Sequence, residues 1–150
     1  MLFIDDSNIF IEGKKYYARH LNLRVPQDPR CRIDIGKLID VAVRGRTFRY
    51  GKLYGSEPPA LDSVWKKIRE HLEVGTFEKN SKGKEKEVDT ALTADAVDYA
   101  LTNKPEADKE TIIVTAGDRD YCQLIQKILA KEFGWKIELL AYLSAAYPSK

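Results

Sequence analysis

The sequence predicts an α/β domain of three layers, with a central parallel sheet of about five strands and helices on both faces. Three observations carry this expectation. Short apolar runs stop at polar loops, several of them aspartate-bearing. Segments with helical apolar spacing lie between those runs. The two kinds of segment then alternate along the chain, a pattern that calls for right-handed crossovers and a parallel sheet. A length of 150 residues fits a single domain over residues 1–150, which can also be a segment of a longer protein.

Met1 to Ile4 reads as a buried strand running into Asp5-Asp6-Ser7-Asn8. Ile9, Phe10, Tyr16 and Tyr17 then recur at helical spacing. A loop with Pro26 and Pro29 separates them from a short helix over about Ile33 to Val43. Phe48 to Tyr54 reads as a strand, and Leu61 to Leu72 as an amphipathic helix entered after Pro58-Pro59. Glu73 to Phe77 is a short strand. The charged run from Lys79 to Glu87 reads as a loop, and Val88 to Leu101 as a helix with an alanine- and leucine-rich packing face. Thr111 to Thr115 is the clearest strand, β-branched throughout and stopped by Ala116-Gly117-Asp118. Leu124, Ile125, Ile128 and Leu129 mark a helix ending at Gly134, and Lys136 to Tyr142 is the last strand.

Composition narrows the class. The chain is 43% hydrophobic and 32% charged, which excludes wholesale disorder. Its 25 Lys and Arg nearly cancel its 23 Asp and Glu, so any surface for a polyanion must come from local segregation of charge. Cys31 and Cys122 stand far apart with no zinc-ligand spacing, which fits a reducing compartment without a disulfide framework. No apolar run approaches the ~20 residues that span a bilayer, and no signal-like leader is visible. The expectation is an intracellular, cytoplasmic protein with no membrane partner.

In an open parallel sheet, ligands sit beyond the carboxyl ends of the strands where the winding reverses. Two of the strands run straight into aspartates there: Asp5 and Asp6 after the first, Asp118 and Asp120 after the Thr111 strand. Carboxylates brought that close require a cation between them or strongly raised pKa values. Hard oxygen ligands suit Mg²⁺ or Mn²⁺, and no His or Cys stands beside them to favour zinc. Asp89, in the first turn of its helix, is the candidate third ligand, with Asp95 further along the same helix. Each of these is also a residue type that caps helices and makes turns, so the argument rests on two strand ends converging.

Three segments carry a resemblance. Phe3-Ile4-Asp5-Asp6-Ser7-Asn8, then Lys86-Glu87-Val88-Asp89-Thr90-Ala91-Leu92-Thr93-Ala94-Asp95, then Val114-Thr115-Ala116-Gly117-Asp118-Arg119-Asp120-Tyr121 resemble, in order, the motifs of the NYN domain of the PIN-like nucleases. The resemblance covers nearly the whole chain. It implies a PIN-like fold and a metal-dependent ribonuclease, with Asp5, Asp89 and Asp118 as principal acids and Asp120 completing the set. Asn8 would orient Asp5 or contact a phosphate, and Asp6 and Asp95 would support the cluster from a second layer. Asp6 and Glu87 stand where the family often has small residues or glycine, and Tyr121 where phenylalanine is frequent.

The expected substrate is RNA, single-stranded or structured. Lys82, Lys84 and Lys86, leading into Asp89, with Arg119 in the third motif and Arg46 and Arg49 beside Tyr50 and Tyr54, are the expected phosphate contacts. A haloacid-dehalogenase-like phosphatase would need Asp-x-Asp after the first strand, and a receiver domain an aspartate after the third, where Phe77-Glu78-Lys79 has none. The alternative is a PIN-like module that binds RNA or protein without cutting. Protein partners or a homodimer are compatible with either reading.

Overall fold

A computed structural model describes residues 1–56, 63–78, 87–105, 110–117, 121, 123, 125, 126 and 134–142. Its described elements are β1 (Leu2–Asp5), α1 (Asp6–His20), α2 (Ile35–Val43), β2 (Gly51–Ser56), α3 (Ser63–Arg69), β3 (Glu73–Phe77), α4 (Val88–Thr102), β4 (Thr111–Thr115) and β5 (Lys136–Leu140). The five strands form one sheet in the order β3-β2-β1-β4-β5, and every pairing is parallel. The expected α/β class and strand number hold. Successive strands step from β1 outward to β3, and the chain then returns to place β4 on the other side of β1. The winding therefore reverses between β1 and β4, which makes that seam the switch point.

β1 is central, and Leu2, Phe3 and Ile4 have no exposed surface, as a near-continuous apolar run in a parallel sheet requires. The pleat sends alternate side chains to opposite faces. Phe3, Tyr54, Ile112 and Val114 pack with Val88, Leu92, Ala96 and Ala100 of α4 on one face. Leu2, Ile4, Leu53 and Ile113 pack with Ala42 and Val43 of α2 and Ile68 of α3 on the other. Asp5 shares the parity of Phe3, so the pleat directs its carboxylate toward the α4 face.

Most differences from expectation fall at element ends. The strand expected over Phe48 to Tyr54 is Gly51–Ser56. Pairing with β1 begins at Gly51 opposite Leu2, and Phe48 instead packs into the core beside α2 and α3. A Cβ at Gly51 would lie 2.4 Å from Leu72 Cδ2, so this strand start needs glycine for close approach. The helix expected from Leu61 is described over Ser63–Arg69, with Leu61 outside the described residues. α2 starts at Ile35 because Asp34 caps it, its Oδ1 accepting from Lys37 N at 3.1 Å. β5 ends at Leu140, opposite the last residue of β4. Of the helix expected near Leu124 to Leu129, Tyr121, Gln123 and Ile125 are described and helical. Gly134, the expected stop, has φ of 76°. No helix among the described residues is long and apolar enough to cross a membrane.

A polar network ties α4 to the sheet. Asp95 accepts from Lys52 Nζ at 2.6 Å and from the Tyr54 hydroxyl at 2.7 Å, and Lys52 also reaches Glu73 at 3.3 Å. Partial burial raises the Asp95 pKa, but the hydrogen bonds from Lys52 and Tyr54 outweigh it and hold the carboxyl below the ordinary range. Its folded pKa is thus below the unfolded value of about 3.9. The associated stability is present above that value and is lost as pH falls through the folded pKa. Asp95→Asn, which keeps shape and hydrogen-bonding capacity, should lower the urea midpoint at neutral pH. The gap to wild type should close as pH falls below the ordinary carboxylate range. A gap that does not change with pH would mean the Asp95 charge contributes nothing.

Candidate metal and nucleic-acid site

Asp5 ends β1 and caps α1. Its Oδ1 accepts from Asn8 N at 2.9 Å, and only 2% of the residue is exposed. The capping role is therefore real, but it occupies one carboxylate oxygen. Oδ2 lies 3.5 Å from the Tyr121 hydroxyl, and that hydroxyl also donates in a short hydrogen bond to Asp89 Oδ1. Asp5 from β1 and Asp89 from α4 thus meet around a single phenolic oxygen.

The position of Asp89 follows from helix geometry. Val88, Leu92, Ala96 and Ala100 form the buried stripe of α4 at four-residue spacing, and Asp89 and Asp95 flank it. Asp95 reaches Lys52 and Tyr54 on β2, while Asp89, six residues earlier, lies at the carboxyl edge beside Asp5. Glu87 gives α4 no side-chain cap.

Asn8 does something the sequence does not announce. Its Oδ1 accepts from Gly117 N at 2.6 Å, strapping the loop after β4 to the first turn of α1. The strap crosses the switch point and holds the two aspartate-bearing strand ends together. Asn8→Ala removes the acceptor and leaves the Gly117 amide without that partner, which should cost about 1–3 kcal/mol. Cleavage should fall by more than the loss of folded protein explains. Unfolding curves and rates compared on the same samples test this, and unchanged values for both would remove the strap from the account.

Asp6 is the first residue of α1, and its carboxylate lies over the end of β2. A Cβ at Gly55 would be 3.5 Å from Asp6 Oδ2 and 3.0 Å from the Trp65 ring. Asp118, Arg119, Asp120, Lys82, Lys84 and Lys86 lie outside the described residues. Gly117, which directly precedes Asp118 in the chain, is held by Asn8 as above.

Arg46 and Arg49 sit elsewhere than expected for a surface beside the acids. They precede β2 and line a cavity of about 370 Å³ with Met1 and Thr111, the residues at the amino ends of β1 and β4. Arg46 is bound to Glu138 at 2.7 Å and to the carbonyls of Ala42 and Val43, and Arg49 lies 3.3 Å from Glu110. The structure therefore places this pair at the sheet edge opposite Asp5 and Asp89.

Among the described residues, no group of three or more His, Cys, Asp or Glu side chains is arranged to hold a metal ion. Asp5 and Asp89 supply two carboxylates. An all-oxygen donor set of this kind fits a hard divalent cation such as Mg²⁺ or Mn²⁺ better than zinc.

A parallel α/β domain with paired acids at its switch point has the architecture of the PIN-like class. The NYN domain family model matches residues 1–149, and the chain belongs to that family, within the PIN-like nuclease superfamily. No curated protein matches the chain. A crystal structure of a protein of unknown function from Vibrio parahaemolyticus RIMD 2210633 is similar at a TM-score of 0.60 and 18% identity. The match covers 96% of this chain and 85% of that one, a likeness that speaks to the fold alone.

Proposed function

We propose that the protein is a metal-dependent ribonuclease that hydrolyses RNA phosphodiester bonds at the carboxyl edge of β1 and β4, as an endonuclease. The observation that carries this reading is the meeting of Asp5 and Asp89 around the Tyr121 hydroxyl at the switch point of an NYN domain. Asp5, Asp89, Asp118 and Asp120 would hold the ion, and Mg²⁺ or Mn²⁺ suits their oxygens. When bound, such an ion lowers the pKa of water and neutralises charge developing on the phosphate.

The chain's own residues do the rest. Asp5, whose Oδ1 accepts from Asn8 N, has Oδ2 beside the Tyr121 hydroxyl, and that hydroxyl donates its hydrogen bond to Asp89. Asn8 keeps the β4 loop closed against α1, and Asp95 anchors the helix that carries Asp89. Lys82, Lys84, Lys86 and Arg119 are proposed phosphate contacts close in sequence to the acids. Arg46 and Arg49, engaged with Glu138 and Glu110 at the far edge, are left out of that role.

The test is incubation of end-labelled RNA and DNA with the full chain in Mn²⁺, Mg²⁺ or EDTA. Internal cleavage of RNA that stops in EDTA is expected. RNA binding without cleavage in any metal would instead assign the chain to the non-cutting RNA-binding alternative.

A further inference from the structure

Whole-chain charge is almost balanced, but one segment is not. Between Lys14 and Lys37 stand seven Lys and Arg against two Asp. Asp28 is buried and paired with Arg30 at 3.0 Å, and Asp34 caps α2. The local excess is therefore positive, and two of its cations, Arg32 and Lys37, line a groove of about 530 Å³ between α1, α2 and the end of β5, where Asp34, 4.0 Å from Lys37 Nζ, is the acidic lining residue.

That groove is lined by Ile9, Ile33, Leu140, Tyr17 and Tyr142, with Arg32 and Lys37 among its charged residues. Gly13 permits its shape, since a Cβ there would lie 2.9 Å from Ile33 Cδ1 and 3.0 Å from the Tyr142 hydroxyl. Tyr142 packs on Tyr16 at 5.5 Å between ring centroids, and Tyr16 stacks on His20 at 5.9 Å. Tyr17 is 44% exposed. Flat, partly exposed aromatic rings beside cationic groups are what a single strand of nucleic acid uses, its bases stacking and its phosphates paired.

Residues of the groove adjoin those of the acid edge in the chain and in the sheet. Ile9 follows Asn8, and the Leu140 carbonyl accepts from Ala116 N at 3.1 Å, next to the Gly117 amide that Asn8 holds. We infer that this groove is the track on which single-stranded RNA lies as it approaches Asp5 and Asp89. One or two bases stack on Tyr17 and Tyr142, and the backbone lies against Arg32 and Lys37. A duplex, whose base faces are already stacked, gains little from the rings. An apolar protein segment would make no use of the cationic excess. The inference rests on the nuclease reading and specifies where its substrate binds.

The experiment measures fluorescence anisotropy of a fluorescein-labelled U12 oligonucleotide with the full chain in EDTA across a KCl series. Wild type is compared with Tyr17→Ala, with Arg32→Ala/Lys37→Ala, and with Lys37→Glu, which leaves intact the hydrogen bonds that Arg32 donates to the carbonyls of Pro29 and Cys31. Tyr17→Ala should weaken binding about 5- to 150-fold, the loss expected for one stacked base. The double variant should flatten the log–log salt slope by about 1.4, at roughly 0.7 per lost contact on a single strand. A folded Lys37→Glu should weaken binding more than neutralisation of that one lysine explains. If wild type binds and all three variants match it, the groove is not the track, while the nuclease reading stands. If wild type binds no oligonucleotide, the groove is not the track, and the cleavage assay decides the nuclease reading separately. A dimer in solution dissociated by Val41→Glu, at an exposed residue of the groove's lining, would give the groove to a second copy of the chain and overturn the inference.

Discussion

Asp5→Asn is expected to lower RNA cleavage by about 100- to 10,000-fold, the scale of several kcal/mol of lost ligand charge in the transition state, without unfolding the protein. The two expectations separate because Asp5 does two jobs. Asparagine caps a helix as well as aspartate does, so its Oδ1 can keep the bond from Asn8 N. The same change removes a buried negative charge beside Asp89, relieving like-charge repulsion. The thermal midpoint should therefore be unchanged or higher in EDTA. Initial rates with Mn²⁺ and melting curves on the same preparation check both halves. A wild-type rate would remove Asp5 from the chemistry, and a collapsed midpoint would make it a purely structural cap.

Leu92→Ala should produce the opposite pattern, a loss of about 2–5 kcal/mol in stability with cleavage per folded molecule reduced far less than in Asp5→Asn. Leu92 has no exposed surface and lies on the buried stripe of α4, between Asp89 and Asp95. Deleting its side chain opens a cavity under the helix that carries both acids, and close-packed surroundings fill such a space only in part. Urea unfolding followed by circular dichroism reads the effect, with rates corrected for the folded fraction. A change well below 1 kcal/mol would mean that α4 is held mainly by the polar network of Asp95, Lys52 and Tyr54.

The sheet and its switch point were legible because they depend on local signals. Strands that end at aspartates mark the carboxyl edge whatever the details of packing, and Glu73 to Phe77 and Thr111 to Thr115 fall where the pattern puts them. Asp5 could be named for the same reason, and Asp89 from its place in the first turn of the helix that leads back to the sheet. The Asn8 strap was not legible, because its acceptor meets a backbone amide 109 residues away, and no local pattern encodes such a pair. The shared hydroxyl of Tyr121 was equally hidden, although its tyrosine, where phenylalanine is frequent, was the available signal.

Arg46 and Arg49 teach a different lesson. Their signal in the sequence is composition, a basic stretch beside two tyrosines, but a segment that enters a parallel strand lies at the amino edge, whereas the acids follow strands and lie at the carboxyl edge. Topology alone separates the two. The basic residues of the Lys14 to Lys37 segment are hidden in the sequence for the converse reason. They are scattered over a helix, a proline-containing loop and the start of α2, so no run appears in the sequence, and only the fold gathers Arg32, Lys37, Tyr17 and Tyr142 at one groove.

Calorimetric titration of Mn²⁺ into wild type, Asp5→Asn and Asp89→Asn is the most direct test of the central claim that these two acids serve one ion. The account predicts that wild type binds Mn²⁺ and that each single replacement weakens binding by about 10-fold or more. The double variant should lose little beyond the worse single one, because either loss already breaks the shared site. Binding in both single variants that equals wild type would contradict the claim, whatever the activity of the protein on RNA.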